Sequence, residues 1–245
     1  MTSPVIARRA WPAALALLAA CAALGTPPAA RAHDAPPAAD EFIKGVFSPD
    51  FVPPPPGSYE LPPITRIAPF VLRDTSGRRV STRSVMAGKI AVVSFIYTAC
   101  SDRLGCPLAS ATLRALQPLL REEGLAENAV LLSISFDPER DAPAQLAKYS
   151  KVYGADPSMW KFMAAPSERV LSELLRSYGQ DRSRLYDERG RFTGRYRHVL
   201  KVFLVDRAGQ VRNVYSTGLL VPQLVVNDIK TVLAEGGARP AQPPR

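Results

Sequence analysis

Two of the three cysteines in the chain stand in the stretch YTACSDRLGCPLAS, at Cys100 and Cys106, with Pro107 directly after the second. Thiols this close together serve three chemistries. They can staple a loop, cycle between dithiol and disulfide, or supply part of a site for a soft metal ion. A staple across so short a loop stabilises by only about 2 kcal/mol on a chain-entropy estimate, against roughly 5 for a long one. A chain with a sizeable core hardly needs it. A thioredoxin-type redox centre has two residues between its cysteines, and this pair has five. A metal site needs a third ligand, and the chain holds two histidines, His33 and His198. Thiolates select soft ions such as Cu(I), and imidazole also suits copper.

The elements around the cysteines decide whether they can act. IAVVSFIYT (90–98) is an unbroken apolar, β-branched and aromatic run that suits a strand buried on both faces. After Pro107, LASATLRALQPLLREEG repeats leucine at helical spacing through Leu113, Leu116, Leu119 and Leu120, with the proline at a first-turn position. Cys100 and Cys106 therefore fall between a strand end and a helix start. Ligands collect at such places in open α/β sheets, and the helix dipole there stabilises a thiolate.

Further along, AVLLSISF (129–136) reads as a second buried strand and DPERDAPAQLAKYSKVYG as a turn and an amphipathic helix. APSERVLSELLRSYG reads as a helix with Ser167 as its N-cap. VLKVFLVD and QVRNVYS, joined by RAG, read as a hairpin, and a last helix runs from about Val221 to Glu235. Upstream, short strands are expected near 69–73 and Val80, on either side of a turn at Ser76-Gly77. The whole describes an α/β sheet covered on both faces. His198 is placed at the start of the VLKVFLVD strand, where a neighbouring strand can bring it towards the cysteine loop. Thr98 lies close to Cys100, one residue nearer than in a peroxiredoxin pattern, so a peroxide-reducing thiol stays open.

The ends of the chain read differently. Arg8 and Arg9 precede a short apolar run that closes on small residues at ARA, which is the pattern of an export leader over residues 1–32. The run falls short of the roughly 20 residues of a spanning helix. LAAC at Leu18–Cys21 offers a competing reading, a lipoprotein site that would acylate Cys21 and tether the protein to a membrane. Residues 33–63 are rich in proline and alanine and read as an extended linker, 64–236 as the folded domain and 237–245 as a disordered tail. Cleavage after Ala32 would expose His33, whose amine and imidazole could together chelate Cu(II). The balance of 31 basic against 22 acidic residues includes Arg8, Arg9 and Arg31 of the leader. The densest basic run, 181–201, is interleaved with acids and reads as a solvated hairpin and loop. No nucleic-acid partner is expected.

The chain resembles the Sco/SenC copper-binding proteins, thioredoxin-like assembly factors of cytochrome c oxidase. The likeness is carried, in order, by VVSFIYTAC with the following CP, SISFDPERDAP (133–143), YGADPSMWKFM (153–163) and HVLKVFLVDRAGQV (198–211). It implies a thioredoxin-like fold with a central mixed sheet, flanking helices and an N-terminal extended segment. It further implies copper, as Cu(I) or Cu(II), held by Cys100, Cys106 and His198, with Asp137 beside the site. The implied partners are a cytochrome c oxidase subunit or other copper acceptor and a periplasmic thiol reductase. The alternative within the likeness is a thiol-disulfide oxidoreductase that uses Cys100 and Cys106 without metal. A secreted binding module with a stapled loop is the third reading. One departure stands out: the family usually has three residues between the cysteines, often beginning with proline, where this chain has SDRLG.

Overall fold

A computed structural model of the chain describes residues 51–237. The leader read over 1–32, Cys21, His33, the first part of the linker and residues 238–245 lie outside the described residues. In chain order the strands are β1 (Thr65–Arg66), β2 (Val71–Asp74), β3 (Arg79–Ser81), β4 (Ile90–Ile96), β5 (Ala129–Ser135), β6 (Trp160–Ala164), β7 (Arg182–Tyr186), β8 (Phe192–His198), β9 (Val202–Val205) and β10 (Gln210–Tyr215). The helices are α1 (Thr82–Met86), α2 (Cys106–Glu122), α3 (Pro143–Val152), α4 (Glu168–Tyr178) and α5 (Pro222–Gly237). Among the described residues no helix is long and apolar enough to cross a membrane.

The main sheet runs β1-β10-β9-β4-β5-β6-β2-β3. Its centre, β4-β5-β6, is parallel, and β9 and β2 join it antiparallel, so the sheet is mixed. Every residue of β4 and β5 is buried, as expected of strands covered by helices on both faces. Two serines inside this apolar stack partner each other: Ser94 and Ser133 sit side by side at 2.9 Å, and the Trp160 indole donates to Ser133. These hydrogen bonds offset the desolvation of the buried polar atoms.

The α2 helix buries Leu113, Leu116 and Leu120 completely. Pro118 inside it lacks the amide that would bond the carbonyl of Arg114, and the Gln117 side chain supplies a long contact to that oxygen at 3.5 Å. Gln117 also accepts from the Asp156 amide at 2.7 Å, which ties the helix to the loop before β6. Ser167 caps α4 as expected, accepting from the Val170 amide, and Gly179 ends it in a left-handed conformation.

Two features differ from the sequence reading. Strand β6 is one: its residues entered only as part of a motif, yet they pair in parallel with β5 from Leu131↔Trp160 to Ser135↔Ala164. The second is the stretch read as linker, whose described part is docked. Phe51 and Tyr59 pack against the core and Leu61 is buried. The Gly57 amide donates to Thr231, Asn227 donates to the Pro54 carbonyl, and Tyr59 donates to Asp228 of α5. Prolines bar this segment from helix and ladder, but they leave carbonyls and aromatic rings free to bind a helix face.

Candidate metal and redox centre

Cys100 sits in the turn that follows β4, with its amide bonded to the Tyr97 carbonyl at 3.1 Å, and Cys106 is the first residue of α2. Both thiols are free and buried. The five intervening residues fold onto Asp102. Its carboxylate accepts from the Leu104 amide at 3.1 Å, and its carbonyl accepts from the Gly105 amide at 3.0 Å and faces the Cys100 sulfur at 3.9 Å. A Cβ at position 105 would lie 3.3 Å from the Asp102 carbonyl, so the glycine permits the close return of the loop.

His198 is the last residue of β8, not the first of the following strand. The ribbon β7–β8 pairs Arg182 with His198, and β9 begins only at Val202. The bend between them is pinned from α4's end: Gln180 donates to the Val199 carbonyl at 3.1 Å and Lys201 to the Gly179 carbonyl at 2.6 Å. On its inner side the ribbon rests on aromatic rings. The His198 ring lies 4.9 Å from Phe136 and 6.0 Å from Tyr97, and Tyr196 lies 5.3 Å from Tyr97.

These elements converge. The two sulfurs and a His198 ring nitrogen all lie within 4.8 Å of one another, and Cys106 Sγ stands 3.9 Å from His198 Nε2. Two sulfur ligands and one imidazole form a donor set suited to a soft ion. The Cys100 thiol is pushed down to about 4, chiefly by the hydrogen bond from Cys106, with His198 and backbone amides adding to it against the cost of burial. Cys106 is fully enclosed and goes the other way, pushed up by burial and by its neighbour Cys100. The pair thus holds one thiolate and one thiol rather than two equivalent groups. Burial, with the Cys100 charge adding to it, also keeps the Tyr97 phenol protonated.

Asp137 reaches the site through the strand that carries His198. Its carboxylate pairs with Arg140 and accepts from the Tyr196 hydroxyl at 3.1 Å, and Arg140 donates onward to the Gly194 carbonyl at 2.6 Å. It therefore grips the β8 strand that carries His198. Gly194, at φ +78, makes room for this, since a Cβ there would come within 2.4 Å of the Arg140 guanidinium. The Thr98 hydroxyl donates to Asp141 at 2.6 Å, and its amide donates to the same group, so this hydroxyl is engaged away from the cysteines. This gives no support to a peroxide-reducing arrangement.

Asp141 was missed by the sequence reading. It is 1 % exposed and also accepts from Ser135, so it ties the end of β5 to the strand exit before Cys100. Its signal lay in the same FDPERD run as Asp137. Gln180 and Tyr196 had no local signal, because their roles appear only once β7 and β8 pair.

Fold and site together define a thioredoxin-like α/β domain that carries a two-thiol, one-imidazole group at a sheet end. Residues 61–234 match the SCO1/SenC family, and the chain belongs to that family. An SCO1 protein homolog of Bacillus subtilis is 31% identical over 108 residues, 44% of this chain and 53% of the relative. The match thus spans about half of that relative's length. Among solved structures, Arabidopsis thaliana ScoI with copper bound superposes with a TM-score of 0.58 at 22% identity, over 69% of this chain and 98% of that one. BsSco, described as a member of the Sco family of cytochrome c oxidase assembly proteins with a disulfide switch, superposes at 0.57 and 26% identity, over 71% and 96%.

Proposed function

We propose that the chain is a periplasmic copper carrier that hands copper to a cytochrome c oxidase subunit. The observation that carries this reading is the convergence of the Cys100 and Cys106 sulfurs and the His198 imidazole within 4.8 Å in a SCO1/SenC domain. Cys100, already favouring the thiolate, takes the ion first. Cys106 then gives up its proton as the ion's charge offsets the burial that kept it protonated. His198 is half-buried while both sulfurs are enclosed, so it offers the side from which an acceptor's own ligands displace these groups one at a time. Asp137, through Tyr196 and Arg140, holds the strand that presents His198. Residues 1–32 direct export, with a lipidated Cys21 as the alternative anchor; of the 33–63 linker, the part before the docked 51–61 segment spaces the 64–236 domain from the membrane, and 237–245 are a loose tail. A periplasmic thiol reductase keeps the cysteines reduced, since a disulfide offers no thiolate.

A second reading rests on the asymmetry of the thiols. One depressed and one raised thiol within reach of each other suit a dithiol that attacks an acceptor's disulfide and closes into its own, so that the acceptor gains two electrons and two protons as thiols. The two readings part at His198→Ala. With the reduced protein and a Cu(I)-chelator competition, the carrier reading expects one tightly held copper in the parent chain. It expects at least a tenfold loss in the variant, with reduction of a disulfide peptide preserved. Equal copper retention in parent and variant would sink it.

A further inference from the structure

A cavity of roughly 500 Å³ opens between the β1–β2 connection, α1, the end of α4 and the β9–β10 turn. It lies at the other end of the sheet from the cysteines. The turn follows Val205, which pairs with Ala91 near the start of β4, whereas Cys100 comes after that strand's end. Seven extended residues separate the two ends by about 20 Å.

Three exposed arginines, Arg66, Arg83 and Arg207, are among the residues that line it. None carries an ion pair or side-chain hydrogen bond among the described residues. The acid on the rim, Asp206, does not neutralise them, because its oxygens already accept from the Ala208 and Gln210 amides and from Arg212. Met86 and Ile67 supply apolar wall. Tyr178 completes the lining. It is only 6% exposed, and its ring is fixed edge-on against Phe95 and Phe203 at 5.2 and 5.0 Å. Its hydroxyl has no hydrogen-bond partner among the described residues and is not fully sealed off, and the residue is part of the cavity's lining. Burial raises the phenol and keeps it a proton donor at neutral pH. An unpartnered donor beside a cavity lined by three arginines has one natural complement, an anion.

We propose that this cavity binds a small amphipathic anion, a phosphate or carboxylate head on an apolar body. Arg66, Arg83 and Arg207 hold the head, the Tyr178 hydroxyl donates to it, and Met86 and Ile67 receive the body. The same head chemistry is found on free organic phosphates and on anionic lipids, and the test separates these sources.

Purified protein is titrated calorimetrically with octyl phosphate below its micelle concentration, and with octylammonium as the opposite charge. Saturable one-to-one binding of the phosphate and none of the ammonium is expected. R83Q combined with R207Q should weaken binding by about tenfold or more, since a single charge-assisted hydrogen bond to the anion accounts for a factor of that order. Tyr178→Phe keeps the ring packing and should weaken it about fivefold, the effect of one neutral hydrogen bond. Sedimentation with phosphatidylglycerol but not phosphatidylcholine vesicles, abolished in the arginine variant, would assign a lipid head; binding of octyl phosphate alone would assign a soluble ligand. Absence of saturable octyl phosphate binding, equal binding of octylammonium, or binding unaffected by R83Q/R207Q would overturn the site. Copper retention at the cysteines is expected unchanged in these variants, and a parallel loss would overturn the independence of the two sites.

Discussion

The inequality of the two thiols gives a sharp test of the site's electrostatics. Cys100 is drawn from an ordinary value near 9 to about 4, mainly by the Cys106 hydrogen bond and next among the lowering causes by His198. The sign follows directly: donors that favour the charged form keep the thiolate at pH values where an ordinary thiol is protonated. At pH 6 a thiol of pKa near 9 is about 0.1% thiolate and one near 4 is about 99%. The intrinsic reactivity of the low-pKa thiolate is smaller by about two decades, because nucleophilicity falls with basicity. At pH 6 the two effects together leave Cys100 only about tenfold faster than an ordinary thiol, so the diagnostic is the shape of the profile. Between pH 6 and 8 an ordinary thiol alkylates about 100-fold faster as its thiolate fraction rises, whereas Cys100 should change less than about twofold. The assay is iodoacetamide labelling of the reduced protein from pH 3 to 9, read by peptide mass. Burial of Cys100 slows every point alike and leaves the shape intact. Cys106→Ala removes the first of the lowering interactions and should move the midpoint up by more than His198→Ala does. A midpoint near 8 or 9 in the parent chain, or one unmoved by Cys106→Ala, would refute the reasoning.

Three further perturbations test what holds the site in place. Asp141→Ala leaves the Thr98 hydroxyl and amide and the Ser135 hydroxyl without their shared acceptor. A loss of about 3 kcal/mol in urea unfolding is expected; a loss below about 1 would show that these donors find other partners. Leu113→Ala empties a wholly buried position on α2 and should cost about 2–5 kcal/mol by the same measurement, with copper retention intact below the new midpoint. Asp228 accepts from Tyr59, Tyr215 and Asn213. Asp228→Ala should therefore release the 54–61 segment, seen as proteolytic cleavage there at least about tenfold faster, the effect of one charged hydrogen bond on a local opening.

The parallel centre of the fold was legible because burial on both faces leaves a local mark: IAVVSFI and AVLLSIS are apolar or small throughout. So was α2, whose leucine spacing and Pro107 announce an amphipathic helix with a proline in its first turn. What the sequence hid depends on pairing across distance. The run 181–201 reads as a hairpin, and residues 182–186 and 192–198 do pair as one, but nothing local marks His198 as the end of that hairpin rather than the start of the next strand, so the imidazole was assigned to the wrong strand while its meeting with the sulfurs was still anticipated. Asp137 was singled out for its region, but its partners could not be named from the sequence, because Tyr196 and Arg140 meet it only after β8 folds over Phe136. The docked 54–61 segment escaped for a related reason. Proline content reports which ladders a chain cannot join, and says nothing of the helix face it can lie on.

The five-residue spacing between the cysteines bears on the site less than it first suggests. What a three-ligand site needs is a fixed distance between sulfurs, and that distance is set by anchors outside the loop. Cys100 is held by the turn off β4, which Asp141 secures through Thr98, and Cys106 by the first turn of α2, whose leucines are sunk in the core. Between those anchors a longer loop has only to arch outward, and lengthening a short loop by two residues adds little closure entropy. Here the arch is folded on Asp102 and exposes Leu104, 43% accessible, beside the thiols. The added length therefore changes the exposed rim while leaving the two sulfurs and the imidazole within reach of one ion. On the proposed carrier reading, the unusual spacing bears on the rim an acceptor would meet more than on the donor set.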